Sequence, residues 1–155
     1  VCIAMKRQGS IHAHRIAADM PVAAILAVPA ARTSTAASRN GLPAKVTHAD
    51  AAHNAASAAL LGAAIASGDA TLLRDAFDDR LHEQYRLAGA PLLRQLRAAT
   101  PAGVVGVTLS GSGPSVVVWA EPARADEVAR ELEASLPPDT TVLPLRVAQE
   151  GAHTA

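Results

Sequence analysis

Aromatic side chains are almost missing: one Trp, one Tyr and one Phe in 155 residues, 2% of the chain. Such a chain offers little on which unpaired bases could stack. A basic excess is missing too. Lys and Arg number 14, Asp and Glu 14, and the formal net charge is zero. The longest basic run is Lys6-Arg7, far short of the footprint that a phosphate backbone requires. A nucleic-acid partner is therefore not expected. Cysteine is reduced to Cys2, which excludes a disulfide framework and makes a reduced, cytoplasmic setting the default expectation. No basic stretch followed by an apolar core and a cleavage site opens the sequence, so no signal peptide is read. A bilayer crossing takes about 20 apolar residues. Residues 22–31 are too few, and the Ala-rich stretch from Ala49 is interrupted by Asp50, His53 and Asn54, so no membrane span is expected. The first residue is Val rather than Met, and further sequence upstream is expected.

Half of the residues are hydrophobic, mostly Ala, Val and Leu. Small side chains let helices approach closely, and the length suits one domain with a real core. Residues 1–5 and 10–16 read as short strands around 6–9, and two strands alone would not be stable. Residues 22–28 form a continuous apolar run, as in a strand buried on both faces. A polar segment follows, with a short helix expected near Thr35–Arg39 between a Ser/Thr start and Asn40-Gly41.

Thr47 is a good N-cap for the next helix, with Asp50 in its first turn and Gly68 at its end. Asp69 is expected to cap a helix whose Leu72, Leu73, Ala76, Phe77, Leu81 and Tyr85 share one side. Arg74 and Asp78 would pair on its outer face. Residues 91–99 give a third helix, ended by Pro101. Residues 104–109 and 115–120 are β-branched strands around a Gly-rich break, hence a hairpin. A helix from Pro122 to Leu136 and a strand over 140–147 complete the order. From Val22 onward this is strand, helices, strand, strand, helix, strand. The fold class read from it is α+β: a ferredoxin-like β-α-β-β-α-β plan with extra helices, an antiparallel sheet and helices on one face.

The segment Ser110-Gly111-Ser112-Gly113-Pro114-Ser115 admits two readings. Without side chains at the glycines, backbone N–H groups can converge on an anion. Alternatively the segment is a hairpin turn that needs positive φ. It fits neither the dinucleotide fingerprint nor the P-loop. Arg32, Arg39, Arg80 and Arg86 lie in or beside helix ends. Each is a fork for a carboxylate or phosphate, or else a solvated arginine worth little to stability. His12, His14, His48 and His53 lack the spacing of metal ligands, so no metal site is read. Asp78-Asp79 and Asp126-Glu127 read as solvated faces. No Ser/His/Asp nucleophile can be argued, so no catalytic residue is assigned.

Three segments, in order, resemble the C-terminal half of bacterial homoserine kinases of the GHMP kinase superfamily. They are Ser34-Thr35-x-x-x-Arg39-x-x-Leu42-Pro43, Asp79-Arg80-Leu81-His82-Glu83-Gln84-Tyr85-Arg86, and the run from Gly106 through the glycine loop to Ser115. Asn54 also falls where the family usually has Asn. The resemblance implies ATP-dependent phosphorylation of the L-homoserine hydroxyl, with Mg²⁺, in threonine biosynthesis. It implies that Thr35 lies near the substrate hydroxyl and that Arg39 and Arg86 hold the substrate carboxylate. Ser110, Gly111, Ser112 and Gly113 would lie beside the transferred phosphate, with Arg80 and His82 structural. A homodimer is compatible with it.

Gln84 stands where the family usually has Pro, and His53 where it has Phe. The superfamily's phosphate segment, Pro-x-x-x-Gly-Leu-Gly-Ser-Ser-Ala, does not occur in the 155 residues. It is expected upstream, in a domain that would hold most of the ATP and Mg²⁺. Residues 1–20 are then expected to be the last strands of that domain, 21–148 the C-terminal kinase domain and 149–155 a tail. The 155 residues alone are expected to be inactive. Two rivals share the same features: a related kinase acting on mevalonate or a sugar, and a non-catalytic ferredoxin-like binding module.

Overall fold

The structure, a computed structural model, describes residues 1–31 and 41–148. The helix expected near Thr35–Arg39 and the tail at 149–155 lie outside the described residues. Strand β1 (Cys2–Arg7) pairs antiparallel with β2 (Ser10–Arg15) as a separate two-stranded sheet. It rests beside helix α1 (His48–Ser67), where Ile3 approaches Gly62. The main sheet has four strands: β3 (Ala23–Val28), β4 (Val104–Leu109), β5 (Val116–Ala120) and β6 (Thr141–Leu145). Their order across the sheet is β4-β5-β3-β6, and every neighbouring pair is antiparallel. This is the arrangement of a split β-α-β-β-α-β unit, in which β5 fills the gap between β3 and β4.

Helices α4 (Pro91–Ala98) and α5 (Ala125–Ser135) cover one face of the sheet. Alternation along the strands sends Ile25 and Ala27, then Val116, Val118 and Ala120, into that core, all at 0% exposure. Leu93 and Leu96 meet them from α4, Val128 and Leu132 from α5. Pro at the first position and a leucine-rich stripe make α4 from only 8 residues.

Helices were expected on one face only, and the structure corrects this. A second, smaller core lies on the opposite face, where α1 and α2 (Thr71–Ala76) bury Ala64, Ile65 and Leu73 against Val22 and Val105. α1 begins and ends as its sequence dictates. The Thr47 hydroxyl accepts the Asp50 N–H at 3.0 Å, and Gly68 adopts the left-handed conformation at the C-terminus. Asp69 receives both the Thr71 N–H and the Thr71 hydroxyl. Those bonds hold its carboxyl below the ordinary range.

A β-bulge couples the two cores. Val104 opposes Ala120 and Gly106 opposes Trp119, leaving Val105 as the additional residue. Val104 and Val107 therefore both face the first core, and Val105 faces the second. Phe77 stacks on Trp119 with ring centroids 5.5 Å apart and planes 13° apart. A Cβ on Gly106 would overlap the Phe77 ring, so glycine is required there by close approach. Trp119 donates its indole N–H to the Thr108 hydroxyl at 2.9 Å. Among the described residues no helix is long and apolar enough to cross a membrane.

Gly106→Ala should push Phe77 off Trp119 and destabilise the chain by about 1–3 kcal/mol, the usual cost of overpacking. Trp119 is the single tryptophan, so its fluorescence and a urea titration read both effects. An unshifted emission spectrum with an unchanged midpoint would contradict this role of Gly106.

Candidate functional site: a cleft between a one-turn helix and the glycine loop

The helix expected to run from Asp69 to Tyr85 does not do so. It stops at Phe77, turns through residues 78–82, and resumes as the one-turn helix α3 (Glu83–Arg86). The reason is a set of hydrogen bonds that outcompete the helix. Asp79 Oδ1 accepts from the Leu81 N–H at 2.7 Å, the His82 N–H at 3.1 Å and the Asn54 amide at 3.0 Å. The Asn54 carbonyl oxygen takes the Arg80 N–H at 2.8 Å. A short acidic side chain that bonds its own following backbone favours a turn over continued helix. Asn54, on α1, thereby fixes where the turn sits.

Asp78-Asp79 was read as a solvated face, and this is corrected for Asp79, which is half-buried and saturated with donors. Burial alone pushes its carboxyl up. The bonds from Asn54, Leu81 and His82, with the His82 ring, outweigh that and hold it below the ordinary range. The pairing expected between Arg74 and Asp78 is replaced. Asp78 meets His53 at 2.9 Å and Arg80 at 3.4 Å. The Gln84 amide donates to the Arg80 carbonyl.

Glu83 and Arg86 face the glycine loop from α3. Glu83 is one of two buried polar or charged residues among those described, at 6% exposure. Its Oε1 accepts the Leu109 N–H at 2.6 Å, and its Oε2 accepts from Arg97 Nη2. Arg97, from α4, also donates Nε and Nη2 to the Val107 carbonyl at 3.1 and 2.8 Å. Arg86 donates Nη1 to the Gly111 carbonyl at 3.3 Å. Its Nε is a buried side-chain atom without a hydrogen-bond partner, the only such atom among the described residues. Together these residues frame an open cleft of about 420 Å³, with Asp79, His82, Glu83 and Arg86 on one side and Leu109, Gly111 and Ser112 on the other.

The loop adopts the hairpin reading of its sequence. It is a hairpin connection with glycines at positive φ, 61° at Gly111 and 75° at Gly113. Ser110 N–H bonds to the Ser115 carbonyl and Gly113 N–H to the Ser110 carbonyl. Those two amides are spent on holding the turn. Ser112 lines the cleft beside Gly111. Of the substrate contacts expected from sequence, Arg86 reaches the glycine loop, whereas Thr35 and Arg39 lie outside the described residues. Arg80 pairs with Asp78 and His82 with Asp79, at 3.3 Å for the latter. Glu83 and Arg97 were assigned no role from sequence. A glutamate three residues before Arg86 on a single helical turn was the available signal for the first.

The family described as GHMP kinases C terminal matches residues 58–138, more than half of the chain. The chain belongs to the GHMP kinase family, and corresponds to its C-terminal domain. Homoserine kinase of Gloeobacter violaceus is 41% identical over 117 residues, which cover 75% of this chain and 39% of the relative. A Synechococcus homoserine kinase is 36% identical over 138 residues, covering 85% and 43%. The chain thus spans less than half the length of these relatives. The homoserine kinase structure from Cytophaga hutchinsonii aligns with a TM-score of 0.77 at 20% identity, over 89% of this chain and 45% of that one. The L. major mevalonate kinase, solved with R-mevalonate, aligns at 0.66 and 18% identity, over 97% and 50%. At these identities the solved structures establish the shared fold.

Asp79 makes the stability of the site pH-dependent. Its carboxyl titrates lower folded than unfolded, so its contribution is complete above the unfolded value and is lost as pH falls through the folded one. The urea midpoints of the wild type and Asp79→Asn should differ at pH 7 and converge as pH is lowered below the ordinary aspartate value of 3.8. A gap that stays constant across that window would contradict the assignment.

Proposed function

We propose that these residues form the acceptor-binding half of a homoserine kinase, which transfers the γ-phosphoryl of ATP to the L-homoserine hydroxyl and yields O-phosphohomoserine. Arg86 carries this reading. Its Nε is buried and unpartnered, its Nη1 is tethered to the glycine loop, and its guanidinium borders an open cleft. A guanidinium with a buried, unpartnered Nε–H favours a planar anion, and a carboxylate is one. The homoserine kinases among the relatives support an amino acid as the source of that carboxylate.

In this reading Arg86 and Arg39 grip the carboxylate end, and Thr35 lies near the hydroxyl. Holding one end of a short substrate points the other at the phosphoryl group. Phosphoryl transfer gains most of its acceleration from such positioning and from charge stabilisation. The Gly111 side of the loop then borders the equatorial oxygens, where backbone N–H groups stabilise charge that shifts during transfer. ATP supplies the phosphoryl group and Mg²⁺ would neutralise its oxygens. Among the described residues no group of three or more His, Cys, Asp or Glu side chains is arranged to hold a metal ion. We assign the main contacts of the nucleotide and of Mg²⁺ to an N-terminal phosphate segment of the kind absent from the 155 residues.

Two measurements test this. The 155 residues alone should show no ATP-dependent phosphorylation of homoserine, and turnover at the rate of a complete kinase would refute the division of labour. In the complete kinase, Arg86→Ala and Arg39→Ala should each raise KM for homoserine about tenfold or more, the scale of a lost charge-assisted hydrogen bond, with little change in KM for ATP. An unchanged KM for homoserine in both variants removes the clamp, and preference for mevalonate or a sugar over homoserine transfers the site to a different acceptor.

A further inference from the structure

We infer that Glu83 and Arg97 are positioning residues for the acceptor site: their ion pair sets α3 against β4 so that the Arg86 guanidinium is held over Gly111. The inference rests on the acceptor reading of Arg86 and adds to it the device that aims that side chain.

A helix of one turn is not stable by itself, because nucleation is unfavourable and too few bonds follow. α3 is such a helix, and its N-cap residue, His82, makes no side-chain capping bond. Its placement must come from side chains that anchor it elsewhere. Glu83 and Arg86 are three residues apart, hence neighbours on one face of the turn. Both reach one short stretch of backbone, Glu83 at the Leu109 N–H and Arg86 at the Gly111 carbonyl. The first contact is short and part-buried, the second longer and exposed. The order of strength makes Glu83 the anchor and Arg86 the aimed group.

Arg97 completes the anchor. One guanidinium joins the Glu83 carboxylate to the Val107 carbonyl. Three elements are thereby locked at one point: α3 through Glu83, α4 through Arg97, and the end of β4 through Val107 and Leu109. The Glu83 oxygens are both occupied by these donors. These donors and its burial turn the Glu83 carboxylate toward α4 and β4, and its influence on the acceptor passes through Arg86. A buried carboxylate is tolerated only with such partners, so removal of the charge on either side should loosen the turn.

The test uses the complete kinase and the variants Glu83→Gln, Arg97→Gln and Arg86→Ala. Glu83→Gln keeps the shape and an acceptor for the Leu109 N–H while removing the attraction to Arg97. It should raise KM for homoserine about tenfold, as expected when a substrate-aligning group is displaced by a fraction of its bond length, with KM for ATP nearly unchanged. It should also shift the Arg86 Nε–Hε resonance in ¹⁵N-resolved NMR, assigned by its disappearance in Arg86→Ala. Arg97→Gln should do the same, and the double variant should be no worse than either single one, because both break one pair. If Glu83→Gln fails to fold, Arg97→Gln alone decides by the same two readouts.

A lower denaturation midpoint with an unchanged KM and an unshifted Arg86 resonance would overturn the inference, leaving Glu83 and Arg97 as purely structural. If Arg86→Ala itself leaves KM unchanged, the acceptor reading fails, and the Arg86 resonance alone then judges the positioning: a shift supports it and its absence overturns it.

Discussion

Glu83 carries a carboxylate that is almost withdrawn from water, and the Arg97 guanidinium and the Leu109 N–H are what make that burial tolerable. The geometry of the cleft follows from this requirement. A chain that must satisfy those oxygens has to bring α3, α4 and the last residues of β4 to one point. Once there, Leu109 leads directly into the turn that presents Gly111, and Arg86 lies one helical turn from Glu83. The Asp79 knot does the same for the other end of α3. It ends the preceding helix, ties the turn to Asn54 on α1, and hands the chain to His82 and Glu83. Two acidic side chains, each held by several donors, therefore frame Arg86, whose Nε is the one buried side-chain atom among the described residues without a hydrogen-bond partner.

Much of the fold was legible because local and tertiary demands agree. The continuous apolar run before Pro29 is the central strand β3, flanked on both sides by β5 and β6. Thr47, Asp50 and Gly68 mark the ends of α1 by cap chemistry that is independent of packing. Ser110 to Ser115 declares a turn through its glycines, and the turn is there. The strand order then follows from the succession of elements.

What was not legible depends on partners distant in sequence. Phe77, Leu81 and Tyr85 sit at helical spacing, so the pattern continues across a break that Asp79 and Asn54 impose from 25 residues apart. The bulge at Val105 has only Gly106 as its local sign, and the reason for that glycine is a phenylalanine from another element. Arg97 looks like any arginine on the last turn of a helix. Its partners, Val107 and Glu83, become visible only when α4 is laid against β4. Of the site, Arg86 and the glycine loop were marked by motif, and the residues that hold them in register were not.

The same contacts act on the rim of the sheet. β4 is an outer strand, and two of the backbone groups that would otherwise await a neighbouring strand, the Val107 carbonyl and the Leu109 N–H, are consumed by Arg97 and Glu83. On the opposite rim, β6 carries Pro144, a residue with no N–H to offer a ladder. Both borders are thus poor templates for strand addition, a safeguard against edge-to-edge aggregation. The ion pair that joins α3 to α4 thus also occupies part of the sheet's border.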